Sequence, residues 1–239
     1  MERIGIRQIL SMGYYIENAL VSSDKGYTAQ GGLPGYEKTA DGQESADGHH
    51  VYRNSHFIPM GFTFENYLPI EEYDASRRGV QADRLLVRDL LLTEEQISRY
   101  GQYLVRDTRA ASRMLTVEDV FEESDRRAAS ACTEFAFSRT GFSAVTAKLA
   151  HPNLVFFSVP YDRGFTAYVD GQRTEILCVD FGLMAVPVPE GVHRVEFRYV
   201  PHGLRAALCV SALSLLLLVV LARRGRRGNA SAGREVPVG

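Results

Sequence analysis

Residues 153–176 read NLVFFSVPYDRGFTAYVDGQRTEI. The stretch opens on an apolar run, 154–161, that lacks a polar face, the pattern of a strand covered on both sides. Asp162-Arg163-Gly164 turns it into a second strand at 165–169. Asp170-Gly171 follows. A two-residue type I′ turn needs positive φ at both central positions, which Asp and Gly tolerate, so a hairpin is expected there. It leads into a strand at 173–179. Upstream, 132–138 places Phe135 and Phe137 on one face, and a polar turn at 139–141 leads to 142–149. His151-Pro152-Asn153 then breaks the chain ahead of the central strand. Downstream come 183–188, the turn Pro189-Glu190-Gly191, and 192–200. In that last run Val195, Phe197 and Tyr199 alternate with Arg194, Glu196 and Arg198, giving one buried and one wet face. Short strands separated by turn chemistry make 130–201 an antiparallel β-sandwich.

The rest of the chain adds helices, so the expected class is mainly β within an α+β chain. Over 116–131, Thr116 and Asp119 form a start resembling a capping box, with Val117, Val120 and Phe121 as the apolar stripe. A second helical pattern runs over 71–92 through Leu85, Leu86, Leu90 and Leu92. Thr93-Glu94-Glu95 caps a third, 94–104. Between 54 and 68, Phe57, Phe62, Phe64 and Tyr67 are interrupted by Pro59 and Gly61 and read as strand and loop. Residues 22–50 are rich in Gly, Ser, Asp and Ala and read as a surface loop. The expected division is therefore 1–129 as a mixed strand and helix segment, 130–201 as the sandwich, 204–222 as a membrane helix and 223–239 as a tail.

The membrane helix rests on 206–222, AALCVSALSLLLLVVLA, which carries no charge, Pro or Gly. At about 1.5 Å per residue it is roughly 25 Å long. Leu204 extends it, and Arg205 and Arg223 can snorkel into the two interfaces of a hydrocarbon core about 30 Å thick. A soluble core helix seldom lacks a polar face. Charge divides at the same place. Arg223, Arg224, Arg226, Arg227 and Arg234 face one acid, Glu235, whereas the preceding 222 residues hold 22 basic and 28 acidic side chains. The Arg cluster favours a cytoplasmic C-terminus and an external sandwich. Yet the N-terminus, MERIGIRQIL, lacks the apolar run of an export signal, which leaves a tail-anchored internal domain as the alternative.

Of 239 residues 45% are hydrophobic, which excludes a disordered chain, and the net charge of −2 excludes a globally basic nucleic-acid binder. No nucleic-acid partner is expected, since arginines directly after a membrane helix are explained by topology and anionic headgroups. No metal or other cofactor is expected. His49 and His50 lie in the loop, and His56, His151, His193 and His202 have no ligand spacing. Cys178 and Cys209 read as small buried hydrophobes. A Cys132–Cys178 disulfide stays open for an exported domain. The pairs Glu71-Glu72, Glu94-Glu95 and Glu122-Glu123 each sit near a helix start, where acids suit the dipole, and read as solvated. No phosphate loop, GxSxG or HExxH occurs.

With the strands placed, 153–176, then VPVPEGVHRVEFRYVPHGLR (186–205), then a terminal apolar helix resemble the C-terminal end of bacterial YfhO-family membrane proteins. HVYRNSHFIPMGFTFENYL (50–68) is similar to that family's segment before its last soluble domain, and GIRQILS (5–11) to the short strand that opens it. Phe165 stands where the family usually has Trp. The resemblance implies a polytopic GT-C-type glycosyltransferase moving a sugar from a polyprenyl-phosphate donor to an extracytoplasmic acceptor such as a cell-wall glycopolymer. The family's catalytic acid lies in an N-terminal multi-helix membrane domain absent from this sequence, so no catalytic residue carries over. The chain is thus expected to be a fragment, a truncated product or half of a split protein, non-catalytic by itself. It would serve a membrane glycosyltransferase partner in the lipid bilayer as an extracytoplasmic accessory domain, or as a structural module without sugar affinity. Tyr161, Phe165 and Tyr168 are candidates to stack on sugar rings, with the core as their alternative. Gly164, Asp170, Gly171 and Gly191 are expected in turns, and Arg205, Arg223, Arg224, Arg226 and Arg227 at the membrane interface.

Overall fold

The computed structural model describes residues 4–18, 32–39, 49–76, 80–110 and 112–232. The chain divides into two units, Met1–Arg198 and Tyr199–Gly239.

In the first unit α1 (Ile4–Ile9) precedes β1 (Tyr14–Asn18), β2 (Tyr36–Lys38) and β3 (His49–Asn54), which pair antiparallel in the order β1-β3-β2. GIRQILS is therefore a helix start and not a strand. Its first amides explain why: Gly5 and Ile6 donate to the buried carboxylate of Asp83 at 2.8 and 2.9 Å, satisfying N–H groups a helix leaves open. Only glycine fits there, because a Cβ on Gly5 would lie 2.0 Å from the Asp83 carbonyl oxygen. His49 and His50 belong to β3, opposite Asn18 and Glu17, and not to a loop. Most of the expected 22–50 loop lies outside the described residues.

Next come β4 (Phe62–Thr63), β5 (Asn66–Pro69), α2 (Ile70–Ser76), α3 (Val80–Arg88), β6 (Asp89–Leu92), α4 (Glu94–Tyr100), β7 (Val105–Arg106) and α5 (Val117–Ala129). Leu90 and Leu92 are in a strand, correcting the helical reading of 71–92. β6 pairs parallel with β5, and all four of its residues are buried, so burial on both faces overrides the chance helical spacing. β7 joins the other side of β5. Both expected caps form: Thr93 with Gln96 starts α4, and Thr116 with Asp119 starts α5. Glu123 is not solvated. It is buried on α5 against Arg127, whose Nη2 donates to Glu123 Oε2 at 3.0 Å.

The remaining strands are β8 (Glu134–Ser138), β9 (Gly141–Val145), β10 (Asn153–Pro160), β11 (Phe165–Val169), β12 (Gln172–Thr174), β13 (Leu177–Val179), β14 (Leu183–Val188) and β15 (Arg194–Tyr199). They make two facing sheets, β12-β11-β15-β9-β8 and β13-β14-β10-β4. The fold is thus mainly β within an α+β chain. The single strand expected at 173–179 is two strands. β12 pairs with β11 in one sheet and β13 with β14 in the other, and the chain crosses between sheets at 175–176. The second sheet takes its edge, β4, from upstream, so one packed body crosses residue 129.

The two-faced apolarity of β10 now has a cause. Val155 and Phe157 point into the sandwich with Phe142, Met184, Val186 and Phe197. Leu154 and Phe156 point the other way, into a second core with Phe62, Phe64, Leu90 and Val120. The sheet holding β10 is therefore the middle layer, with the five-stranded sheet on one side and the helical segment on the other.

In the second unit α6 (Leu204–Ala232) contains Ala206–Arg223, long and apolar enough to cross a membrane, with mean hydropathy 2.4 and no residue buried. Leu208, Leu213 and Leu217 are all about 60% exposed, more apolar surface than a water-soluble helix leaves uncovered. The helix runs on past 222, where a tail was expected to begin. Residues 233–239, and the side chains of Arg205, Arg224, Arg226 and Arg227, lie outside the described residues.

Candidate functional site

The hairpin that decided the sequence reading also lines a polar cleft of the sandwich. Asp170 and Gly171 both have positive φ, 50° and 80°, as the two-residue turn requires, and Val169 pairs with Gln172 across it. Gly164 N–H donates to Asp162 Oδ1 at 2.6 Å in the preceding turn. Gly191 exchanges backbone hydrogen bonds with Leu149. His193 locks the hairpin tip to that last turn. Its Nδ1 lies 2.6 Å from Asp170 Oδ2 and its Nε2 2.9 Å from the Glu190 carbonyl oxygen. Both partners only accept, so the doubly protonated ring satisfies both, and the bond to Asp170, then that to Glu190, raise the His193 pKa above its usual value.

Beside the hairpin lies a cleft of about 170 Å³ lined by Tyr161, Arg163, Phe165, Thr166, Arg173, Thr174 and Glu175, among others. The three aromatic candidates do not converge. Phe165 faces the sandwich interior, its ring 6.2 Å from Phe142 and 6.3 Å from Phe197. Tyr168 is on the opposite face of β11, with the Arg198 guanidinium 4.8 Å from its ring centroid. Tyr161 is partly exposed at the cleft mouth, its N–H bonded to the Gly182 carbonyl oxygen. The cleft thus offers one open aromatic edge, two hydroxyls and two guanidinium groups without carboxylate partners among the described residues. Glu175 is engaged by Arg99 Nη2 at 2.7 Å. These groups can bind and orient a polar ligand.

A second crevice was not legible in the sequence. At the carboxyl ends of β5 and β6, where open parallel sheets place ligands, Tyr67, Pro69, Glu71, Glu72, Glu94, Ile97, Ser98 and Arg106 surround about 360 Å³. Glu72 pairs there with Arg106. Cys178 is exposed on β13, correcting its reading as buried, and Cys132 and Cys178 are both free thiols. Burial pushes the Cys132 thiol up to about 12, which makes it a poor nucleophile.

Deep in the same unit are acids that nothing in the sequence flagged. Asp180 Oδ1 accepts from the Leu91 N–H at 2.8 Å, while its other oxygen has no partner among the described residues. Among the described residues no basic donor hydrogen-bonds either oxygen of Asp89; Arg88 Nε is 3.9 Å away, and the carboxyl group of Asp107 is its neighbour. Burial, reinforced at Asp89 by the neighbouring Asp107, raises Asp89 to about 7 and Asp180 to about 8. Both keep protons in the folded state that an unfolded chain has already lost, so stability falls as pH rises from about 4 toward 8. The raised His193 acts in the same direction, its contribution being complete below about 6.5 and lost above. Thermal melts are expected to give a higher Tm at pH 5 than at pH 8. Asp180→Asn keeps an acceptor for Leu91 and is expected to flatten that slope. An unchanged slope would contradict the assignment.

Residues 113–211 match the family described as bacterial membrane protein YfhO. The matched residues run from just before α5, through every strand from β8 to β15, into α6. Over these residues, less than half of its length, the chain is similar to that family. Over 81 residues it is 25% identical to the uncharacterized protein YfhO of Bacillus subtilis (strain 168), a match covering 34% of this chain and 9% of that protein. No solved structure matches. The YfhO segment includes both the hairpin cleft and the His193 lock, whereas β4 and the parallel sheet lie outside it.

Proposed function

We propose that this chain is a membrane-anchored extracytoplasmic accessory domain of a YfhO-like glycosyltransferase, non-catalytic in itself, that serves cell-wall polymer or lipid-linked glycosylation. The supporting observation is continuity: the YfhO segment passes from the sandwich into an apolar helix after only four connecting residues, 200–203. Topologically, the arginines after the apolar window suit the cytoplasmic side, which leaves the sandwich outside. The hairpin cleft is the ligand site of this reading, with Tyr161 stacking on a sugar ring and Arg163 and Arg173 holding acidic groups of a glycopolymer or of a polyprenyl-phosphate sugar.

The test is a titration of the full chain in detergent with purified soluble cell-wall glycopolymer, followed by NMR. Shifts confined to Tyr161, Thr166 and Thr174, and lost in Arg173→Ala, are expected. Unchanged spectra up to millimolar polymer would overturn the sugar-binding role. A second reading, a bracing module without sugar affinity, is favoured by Phe165 and Tyr168, whose rings are already engaged by Phe142, Phe197 and Arg198. Under it the chain co-purifies with a YfhO-like membrane partner, yet glycopolymer leaves its spectrum unchanged.

A further inference from the structure

β5 is the middle strand of the parallel sheet, and the chain leaves it in two directions. α2 and α3 carry it to β6 on one side, and α4 then carries it back past β5 to β7 on the other. The crossovers cover opposite faces: Leu68 shares a core with Leu85 of α3, and Tyr67 shares the other with Tyr100 of α4. Where two such crossovers part, a crevice opens beyond the carboxyl ends of the strands, the place at which open α/β sheets take ligands. Here that place is the notch between β5 and β7. The β7 ladder stops at Arg106, opposite Tyr67, so Leu68 and Pro69 run on without a strand partner on that side among the described residues. The crevice of about 360 Å³ lies there.

Its lining carries an excess of negative charge drawn from two separate helices, Glu71 and Glu72 from α2 and Glu94 from α4. Arg106 pairs with Glu72, whereas Glu71 and Glu94 have no ion-pair partner among the described residues. Tyr67 also lines the crevice. It is only 9% exposed, yet its hydroxyl has no hydrogen-bond partner among the described residues. A phenol so deeply buried ordinarily finds one. We propose that this crevice binds a small organic cation carrying ammonium groups. Glu71 and Glu94 accept from the ammonium N–H groups, and the Tyr67 hydroxyl accepts from one of them. Among the described residues no three His, Cys, Asp or Glu side chains converge to hold a metal ion, so the glutamates are spaced for an extended cation. The two uncompensated carboxylates select positive charge over a neutral polyol. The crevice lies outside the segment similar to YfhO, and the proposal is independent of the hairpin cleft and its ligand.

Isothermal titration of the full chain in non-ionic detergent tests it, at low ionic strength and with diaminobutane as the probe. Saturable binding is expected, with none from butanediol, the uncharged isostere. Glu71→Gln/Glu94→Gln is expected to weaken binding about tenfold, the combined effect of two exposed ion pairs. Tyr67→Phe keeps the ring and is expected to weaken it about threefold, the effect of one hydrogen bond. Glu118→Gln/Glu122→Gln removes the same charge from exposed positions of α5 and is expected to change nothing, with native circular dichroism in every variant. The absence of saturable binding at tens of millimolar diamine would overturn the proposal. So would equal weakening by the α5 pair, which would mean diffuse attraction to an acidic surface. Butanediol or magnesium ion binding as tightly as the diamine would also overturn it, assigning the crevice to a polyol or a metal ion.

Discussion

Phe157→Ala is expected to cost the first unit about 3–5 kcal/mol of stability, the range for removing a buried aromatic ring from a close-packed core. Phe157 is fully buried, 5.0 Å from the Phe197 ring and 5.4 Å from Phe142, and these are the contacts that join the two sheets of the sandwich. It sits on the middle layer, so neighbouring elements have little freedom to collapse into the hole. The second core across the sheet holds the backbone of β10 in place through Phe156, whose ring is 5.0 Å from Phe62. Denaturant melts of the full chain in detergent, followed by far-UV circular dichroism, measure the loss. A change under 1 kcal/mol would mean that the sheets are not packed through this ring.

Glu123→Ala is expected to destabilise by a similar amount, about 3–5 kcal/mol, for a different reason. Arg127 is 2% exposed, donates through Nη1 to the Thr63 carbonyl oxygen at 2.9 Å, and lies 5.1 Å from the Phe64 ring centroid. Its charge is balanced by Glu123. Without that carboxylate, a guanidinium stays buried with a carbonyl and an aromatic face as its only compensation. Replacing both partners by apolar residues of similar size removes the charge along with its counter-ion. The double variant Glu123→Leu/Arg127→Met is therefore expected to recover most of the loss. If the double variant is as unstable as Glu123→Ala alone, the pair holds α5 on β4 by shape and hydrogen bonding, and the charge argument fails. Melts on the two variants side by side decide this.

Local signals carried well from sequence to structure. The Asp170-Gly171 hairpin, the Thr116 cap and the alternation along β15 are each set by residues within a few positions of one another, and each formed as expected. What was illegible depends on contacts between distant residues. Leu90 and Leu92 have helical spacing with Leu86, but pairing with β5 makes them a strand. The helix at Gly5 forms because Asp83, far along the chain, receives its amides. Glu123 looked solvated because nothing near it in sequence announces that Arg127 is swallowed between α5 and Phe64. The candidate site shows the same limit. Tyr161, Phe165 and Tyr168 are neighbours in sequence, yet strand alternation sends Phe165 inward and Tyr168 outward. Glu72 and Arg106, by contrast, meet only because β5 and β7 are parallel.

The account rests on the apolar helix at Ala206–Arg223 residing in lipid. Alkaline carbonate extraction of membranes from cells producing the full chain tests that directly. The protein is expected to stay in the membrane pellet and to come out only with detergent, while a variant lacking residues 204–239 is released. Recovery of the intact chain in the soluble fraction without detergent would contradict it.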